Sequence, residues 1–401
     1  MFEQIVKNPI YQDRPEARYV AHKDGRVFIG VPKETTLQEN RVALVPSSVA
    51  TLTARGHRVI LETGAGDRAH YTDHEFSEAG AEISYNAEEV FQADIILKVA
   101  PPTLDEIDYL RPNKAIISPL QAPIITEEYI NKLRQKRALA FAMEYIKDEN
   151  NSFPIVRIMS EIAGLSAMLT AAELLSNARN GIGVLLGSIS GVPPARVIIL
   201  GAGVVAEFAT RTAIGLGAEV RIFDNNIYKL MRLQNQVGRQ LYTSSINPFV
   251  LQQELAHADV CIGAIHSGDG VAPIIVSEEM VAGMKTGSVV IDVSIDQGGC
   301  FETSRVTNHD SPTFIKHGVI HYCVPNIASR VSRTASNAIS NILTPLLLQC
   351  EQHGGFERLL QSSPGLLHGI YVYKGCVTNK YLSERFNIRY TNIDLLMASN
   401  I

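Results

Sequence analysis

The stretch VIILGAGVVAEFA, residues 197–209, carries a pattern with a defined chemistry. Gly201, Gly203 and Ala206 form G-x-G-x-x-A between an apolar run and an amphipathic one. Taken alone, the pattern also fits a plain glycine turn between a strand and a helix. A second apolar run, EVRIF, ends at Asp224, 21 residues after Gly203. That is the spacing at which a dinucleotide-binding unit sets an acid against the adenosine ribose. Gly201 permits the tight turn, Gly203 lets a pyrophosphate approach the backbone, and Ala206 lets helix and strand pack closely. The helix N-terminus offers free N–H groups and a partial positive charge to the phosphates. Asp224 can accept both hydrogen bonds of a ribose diol and would repel a 2′-phosphate, so NAD is favoured over NADP. Lys229, five residues on, works against that preference.

The elements around this motif must hold it in place. Short apolar runs at 27–31, 57–61, 93–99, 114–118 and 138–143 read as strands. Helical patterns at 47–55, 76–80 and 127–137 fall between them, which predicts parallel βαβ units. Residues 161–177 read as a long Ala/Leu-rich helix linking two domains. A second series follows, with strands at 196–200, 219–223, 260–264 and 288–293 and a helix at 204–216. Residues 335–352 read as a helix broken near Pro345. The expected fold is α/β, two Rossmann-like domains whose parallel sheets are flanked by helices.

Composition narrows the function. The chain has 401 residues, enough for two or three domains. Hydrophobic residues make up 46% and charged residues 19%, which suits a globular core rather than a disordered chain. A net charge of −5 without a basic run argues against nucleic acid as a partner. Five dispersed cysteines, never in C-x-x-C form, argue against a zinc ribbon or a disulfide scaffold, and no metal is expected. No run of 18 apolar residues stands out as a membrane span. The polar, Pro-interrupted first 25 residues read as an extension and not as a secretory signal, so a cytoplasmic location is expected.

Three stretches carry a resemblance to a known family. They are GVPKETTLQENRVALVPSSVATLTARGHRVILETGAG at 30–66, MSEIAG at 159–164, and DVSIDQGGCFETSRVTNHDSPTFIKHGVIHYCVPNIASRVSRTAS at 292–336. On these the chain resembles the alanine dehydrogenase/nicotinamide nucleotide transhydrogenase family, nearly from Arg26 to the C-terminal segment. The third stretch resembles the dehydrogenase branch. The resemblance implies an NAD domain at 155–332 inserted in a discontinuous catalytic domain at 26–154 and 333–401. It also implies a homohexamer and reversible oxidative deamination of L-alanine to pyruvate and ammonium, with NAD as cofactor.

Arg41 follows the first strand, where open α/β sheets place ligands. It matches the family arginine that binds the substrate carboxylate, a task suited to the two parallel bonds of a guanidinium fork. The plainer expectation is a surface arginine paired with Glu39 or Glu34. Lys98, in ADIILKVAPP, matches a lysine reaching the substrate carbonyl and carboxylate, where it would polarise the carbonyl. At a strand end it also fits a lysine snorkelling to solvent. Asp296, in SIDQGG, matches the family acid/base beside the nicotinamide. It also fits a loop aspartate capping Gly298 or Gly299. By the same resemblance Ser160 is assigned to the diphosphate, Ser245 to the adenine side and Asn326 to the nicotinamide side, each also readable as a turn or cap residue.

The pattern breaks at SPLQAPI, where the family histidine of alanine dehydrogenases is replaced by Gln121. An amide orients by hydrogen bonding but does not titrate. His70 and His266 are the candidates to compensate, with His266 the better placed, though both read as loop histidines. Other readings are a relative acting on another amino or 2-oxo acid, or a silent transhydrogenase-like module that binds NAD.

Overall fold

A computed structural model describes residues 25–398 apart from 37, 123, 149, 268 and 269. The expected extension over 1–25 lies outside the described residues except for residue 25.

Six strands open the chain: β1 (Phe28–Val31), β2 (Arg58–Glu62), β3 (Glu82–Ser84), β4 (Ile95–Leu97), β5 (Ala115–Ser118) and β6 (Leu139–Ala142). Seven follow: β7 (Arg196–Leu200), β8 (Glu219–Phe223), β9 (Tyr242–Ser244), β10 (Val260–Gly263), β11 (Val289–Asp292), β12 (Thr313–Lys316) and β13 (Val319–Tyr322). β14 (Ile370–Tyr373) and β15 (Cys376–Val377) complete the set. The first sheet runs β15-β14-β6-β5-β4-β1-β2-β3 and the second β12-β13-β11-β10-β7-β8-β9. Within the first sheet β1 to β6 pair in parallel, whereas β14 lies antiparallel to β6. The central strands are apolar on both faces because helices cover both sides. IIL of β4 and LAFA of β6 are buried at every position.

Two hairpins lie outside the strands expected from the sequence. His317-Gly318 joins β12 to β13 with φ of 52° and 77°, and Lys374-Gly375 joins β14 to β15 with φ of 48° and 89°. Two positive φ values in a two-residue loop are what a tight hairpin following the strand twist requires, and glycine takes the second without steric cost.

Two long helices run between the sheets. The expected helix at 161–177 spans Pro154–Leu174 instead, because Pro154 at its first turn already has helical φ and needs no N–H partner. It packs on the helix Val204–Leu216 across Gly164, where a Cβ would lie 2.4 Å from the Val205 carbonyl oxygen. By length and composition it is the described helix that could cross a membrane, and 44% of that apolar window is buried inside the molecule. The break expected at Pro345 does not occur: one helix spans Ser332–His353. Pro costs about 3 kcal/mol inside a helix. Burial of Leu343, Leu346, Leu347 and Cys350 beside it in the core of the first sheet offsets that cost.

Candidate active site

The turn from β7 into the helix Val204–Leu216 behaves as the glycine pattern predicts. Gly201 has φ of 105°, and a Cβ there would sit 2.4 Å from the Ala264 carbonyl oxygen. At Gly203 a Cβ would meet nothing within 4 Å. Packing therefore does not demand glycine at 203, and the space over its backbone is open to a ligand, as a diphosphate requires. Ala206 is fully buried between helix and strand. Asp224 directly follows β8 and accepts the Ala202 and Asn226 N–H groups at 2.8 and 2.7 Å. Each carboxylate oxygen keeps a lone pair for a ribose hydroxyl. Lys229 is exposed on the next helix and Ser245 is exposed just after β9.

Four residues from the two halves of the chain meet at the cleft. Arg41 is buried, not superficial, and grips Glu39 through Nε at 2.7 Å and Nη2 at 2.6 Å. Burial pushes the Glu39 carboxyl up, but Arg41 outweighs it and holds the group below the usual range. Met159 Sδ, beside Ser160 on the long helix, lies 3.2 Å from Arg41 Nη1. Asn326 then bridges the halves: its Nδ2 donates to Glu39 Oε2 at 2.7 Å and its backbone N–H to Asp296 Oδ1 at 3.1 Å. Asn326 itself has φ of 57°, a left-handed conformation that asparagine tolerates.

Asp296 sits on the short turn Val293–Gln297 that follows β11. The Gly298 and Gly299 N–H groups go to the Ile295 and Ser294 carbonyls, so the capping role proposed for Asp296 is not what it does. Its residue is open to solvent in the cleft, while the surrounding protein crowds the carboxyl. That crowding pushes its pKa up against the pull of the Asn326 N–H and Arg41.

Lys98 does not snorkel: it is fully buried. Its Nζ donates to Glu106 Oε1 at 2.9 Å and lies 3.0 Å from Glu34 Oε2, off the hydrogen-bond axis. Burial would push Lys98 down, but the two carboxylates outweigh it and hold its pKa above the ordinary lysine value. Burial raises Glu34, against the pull of Lys98 and of the Val99 N–H at 2.5 Å. An ammonium has three N–H groups and Glu106 takes one, so donor capacity remains for a substrate oxygen.

Gln121 follows β5 with φ of 46°. Its N–H and that of Leu120 converge on half-buried Glu144 Oε1 at 3.3 and 2.7 Å, which fixes the loop. Among the described residues no hydrogen bond joins Gln121 to Arg41, Lys98 or Asp296. His70 and His266 are exposed loop residues. The His70 carbonyl accepts from Arg333, away from the Arg41–Asp296 cluster. Glu39 and Glu34 are expected from the sequence only as surface partners of Arg41, and Glu106, Glu144 and His309 carry no expected role. Glu106 had a readable signal, since TLDE is a capping box, and Thr103 and Glu106 do cap each other. No group of three or more metal-ligating side chains occurs among the described residues.

Two α/β sheets, one ending in a G-x-G-x-x-A turn and an acid, the other presenting buried cations, define a dinucleotide-dependent dehydrogenase of the two-Rossmann-domain class. Residues 30–163 match the alanine dehydrogenase/PNT N-terminal domain and residues 167–380 the alanine dehydrogenase/PNT C-terminal domain. The chain belongs to the alanine dehydrogenase/PNT family. It is 37% identical over 368 residues to alanine dehydrogenase 2 of Staphylococcus aureus (strain USA300), covering 91% of this chain and 98% of that protein. It also resembles a solved L-alanine dehydrogenase with a TM-score of 0.84 and 36% identity, covering 90% of this chain and 99% of the other. A transhydrogenase from Sinorhizobium meliloti matches with a TM-score of 0.74 and 26% identity, over 88% and 99% of the two chains.

Proposed function

We propose that this protein is an NAD-dependent L-alanine dehydrogenase. The reaction takes L-alanine, NAD+ and water to pyruvate, ammonium, NADH and a proton, and runs in both directions. The observation that carries the reading is the bridge Arg41–Glu39–Asn326–Asp296, which brings a carboxylate-binding cation and a proton-holding acid together across the cleft. The open face over Gly203 and the acid at Asp224 fit NAD, with Ser160, Asn326 and Ser245 along its length and Lys229 at the adenosine end. We divide the chain into a catalytic domain of 26–154 and 333–401 and an inserted NAD domain of 155–332.

When bound, NAD supplies the acceptor for the hydride that leaves the alanine Cα. Arg41 fixes the substrate carboxylate plane through paired charge-assisted bonds. An N–H of Lys98 holds the carbonyl oxygen of pyruvate and stabilises negative charge developing there. Asp296, its pKa raised, takes a proton during deamination and returns it during amination. Gln121 orients and does not titrate.

Gln121 also favours a second reading, a relative acting on another amino or 2-oxo acid or a silent NAD-binding module. A panel of amino acids with NAD+, followed at the nicotinamide absorbance, separates them. L-Alanine should give the fastest NADH formation; another amino acid in first place, or none, overturns the main reading. We further propose a homohexamer in the cytoplasm. Leu165, Leu169, Leu185, Ile189 and Val192 are exposed apolar side chains of the kind that like copies cover. Light scattering at the mass of one chain would exclude the assembly.

A further inference from the structure

Gln121 leaves the centre without an imidazole where the family resemblance expects one, and among the described residues no hydrogen bond joins the His70 or His266 ring to Arg41, Glu39, Asn326 or Asp296. A third histidine lies against that cluster. His309 lies in the loop before β12, and its N–H donates to Gln38 Oε1 at 2.7 Å while Gln38 Nε2 donates to Asp310 Oδ2 at 2.6 Å. That pair of bonds ties the His309 loop to the segment carrying Glu39 and Arg41. Ser329, on the turn after Asn326, ties that turn to the same segment, since its hydroxyl accepts the Asn40 N–H at 2.9 Å and donates to the Gln38 carbonyl at 3.3 Å. The His309 ring itself lies against the backbone of Asn326, and its Nε2 is buried without a hydrogen-bond partner.

We propose that His309 is a positioning residue of this centre: its neutral ring holds the Asn326 turn, and through that turn it sets Asp296 and the Glu39–Arg41 pair. Asn326 is left-handed, its backbone N–H donates to Asp296 and its side-chain Nδ2 to Glu39, so a small shift there moves both Asp296 and the Glu39–Arg41 pair. Misplacement of reacting groups by about 1 Å can cost on the order of 100-fold in rate. Charge on the ring would upset the arrangement. Burial pushes the imidazole pKa down; the Asn326 backbone, Glu39 and Asp310 pull it up, and Arg330 pushes it down, with a net lowering. The ring is therefore neutral at neutral pH. Once protonated in acid, it attracts Glu39 away from Arg41 and Asn326. The inference rests on the dehydrogenase reading above.

The test uses the full chain, with His309→Ala and His309→Gln beside the wild type. The readouts are kcat and kcat/KM for alanine oxidation from pH 5 to 9, and NADH binding by fluorescence. His309→Ala should lose on the order of 100-fold in kcat, with NADH binding unchanged within about twofold. His309→Gln, which keeps an amide N–H for the Asn326 backbone, should recover most of that loss. In the wild type two groups, Asp296 and His309, titrate on the acid side, so log kcat/KM should fall with a slope of about 2; in His309→Gln the slope should be about 1. If His309→Ala fails to fold, the slope in His309→Gln decides alone. A His309→Gln profile identical to wild type overturns the inference, as does a His309→Ala enzyme within twofold of wild type. A wild type that oxidises no amino acid instead overturns the proposed function, so the two failures are distinct.

Discussion

Arg41 and Glu39 close on each other through two bonds of 2.7 and 2.6 Å, with the carboxylate seated in the guanidinium fork. An internal carboxylate thus occupies the geometry that a 2-oxo acid would use. Nη1, set against the Met159 sulfur, keeps the least engaged donors. On the role proposed for Arg41, a substrate carboxylate would either share the guanidinium through Nη1 or displace Glu39, which Asn326 holds from the other side.

Arg41→Lys should raise the pyruvate KM at least tenfold. A point ammonium can neither satisfy Glu39 bidentately nor offer a planar pair to substrate. Tenfold corresponds to about 1.4 kcal/mol, modest for the loss of a charge-assisted bond. NADH binding should hold within about twofold. Steady-state kinetics with a separate NADH titration checks both; collapse of NADH binding with an unchanged KM would place Arg41 in the wrong half of the site.

Asp296→Asn should lower kcat on the order of 10²–10⁴-fold, the usual contribution of a general acid/base group. Oxidation of alanine needs the ionised carboxylate. Because crowding raises the Asp296 pKa, activity should be lost as pH falls at a higher pH than an ordinary aspartate would give. That limb should vanish in Asp296→Asn and persist in Gln121→Ala, which should raise KM more than it lowers kcat. An Asp296→Asn enzyme within a few-fold of wild type while His266→Ala is dead would move the proton to the NAD-domain loop.

Lys98→Met should destabilise the fold by about 3–5 kcal/mol, because it leaves Glu34 and Glu106 buried without their cation. Lys98→Met combined with Glu34→Gln and Glu106→Gln should regain much of the thermal midpoint but none of the activity. Glu34 and Glu106 hold the Lys98 pKa above its ordinary value, so the cation is present throughout the neutral range and its stabilisation fades only in strong alkali. A single Lys98→Met enzyme as heat-stable as wild type would contradict the account.

NAD should bind at least tenfold more tightly than NADP, and Asp224→Ala should narrow the ratio. The carboxylate is fixed by the Ala202 and Asn226 N–H groups and cannot swing clear of a 2′-phosphate. Parallel titrations of the two reduced cofactors give the ratio directly; equal affinities for wild type would defeat it.

The dinucleotide half was largely legible, because its signals are local. The glycine pattern, the acid directly after β8 and the apolar strands of both series all declare themselves within a few residues. What stayed hidden depends on distant partners. Nothing in ADIILKV says that Lys98 will lie between Glu34 and Glu106, and nothing near His309 says that its ring will rest on Asn326. Pro345 misled because a local helix-breaking rule competed with burial that only the assembled core reveals. The hairpins at His317-Gly318 and Lys374-Gly375 were missed for another reason: their residue-Gly turns were readable, but the flanking strands are only two to four residues long.

The place of β14 in the first sheet has a consequence for how the chain comes off the ribosome. Strand β6, apolar at each of its four positions, pairs on its outer side with β14, which is made roughly 230 residues later. At about 5–20 residues per second, that edge waits on the order of 10–50 s for its neighbour. The second sheet is complete within 196–322 and can form first, as an island between two unfinished pieces. Through that interval LAFA is an apolar edge strand with its outer side open, which makes the newborn chain, and not the finished enzyme, the form most in need of a chaperone.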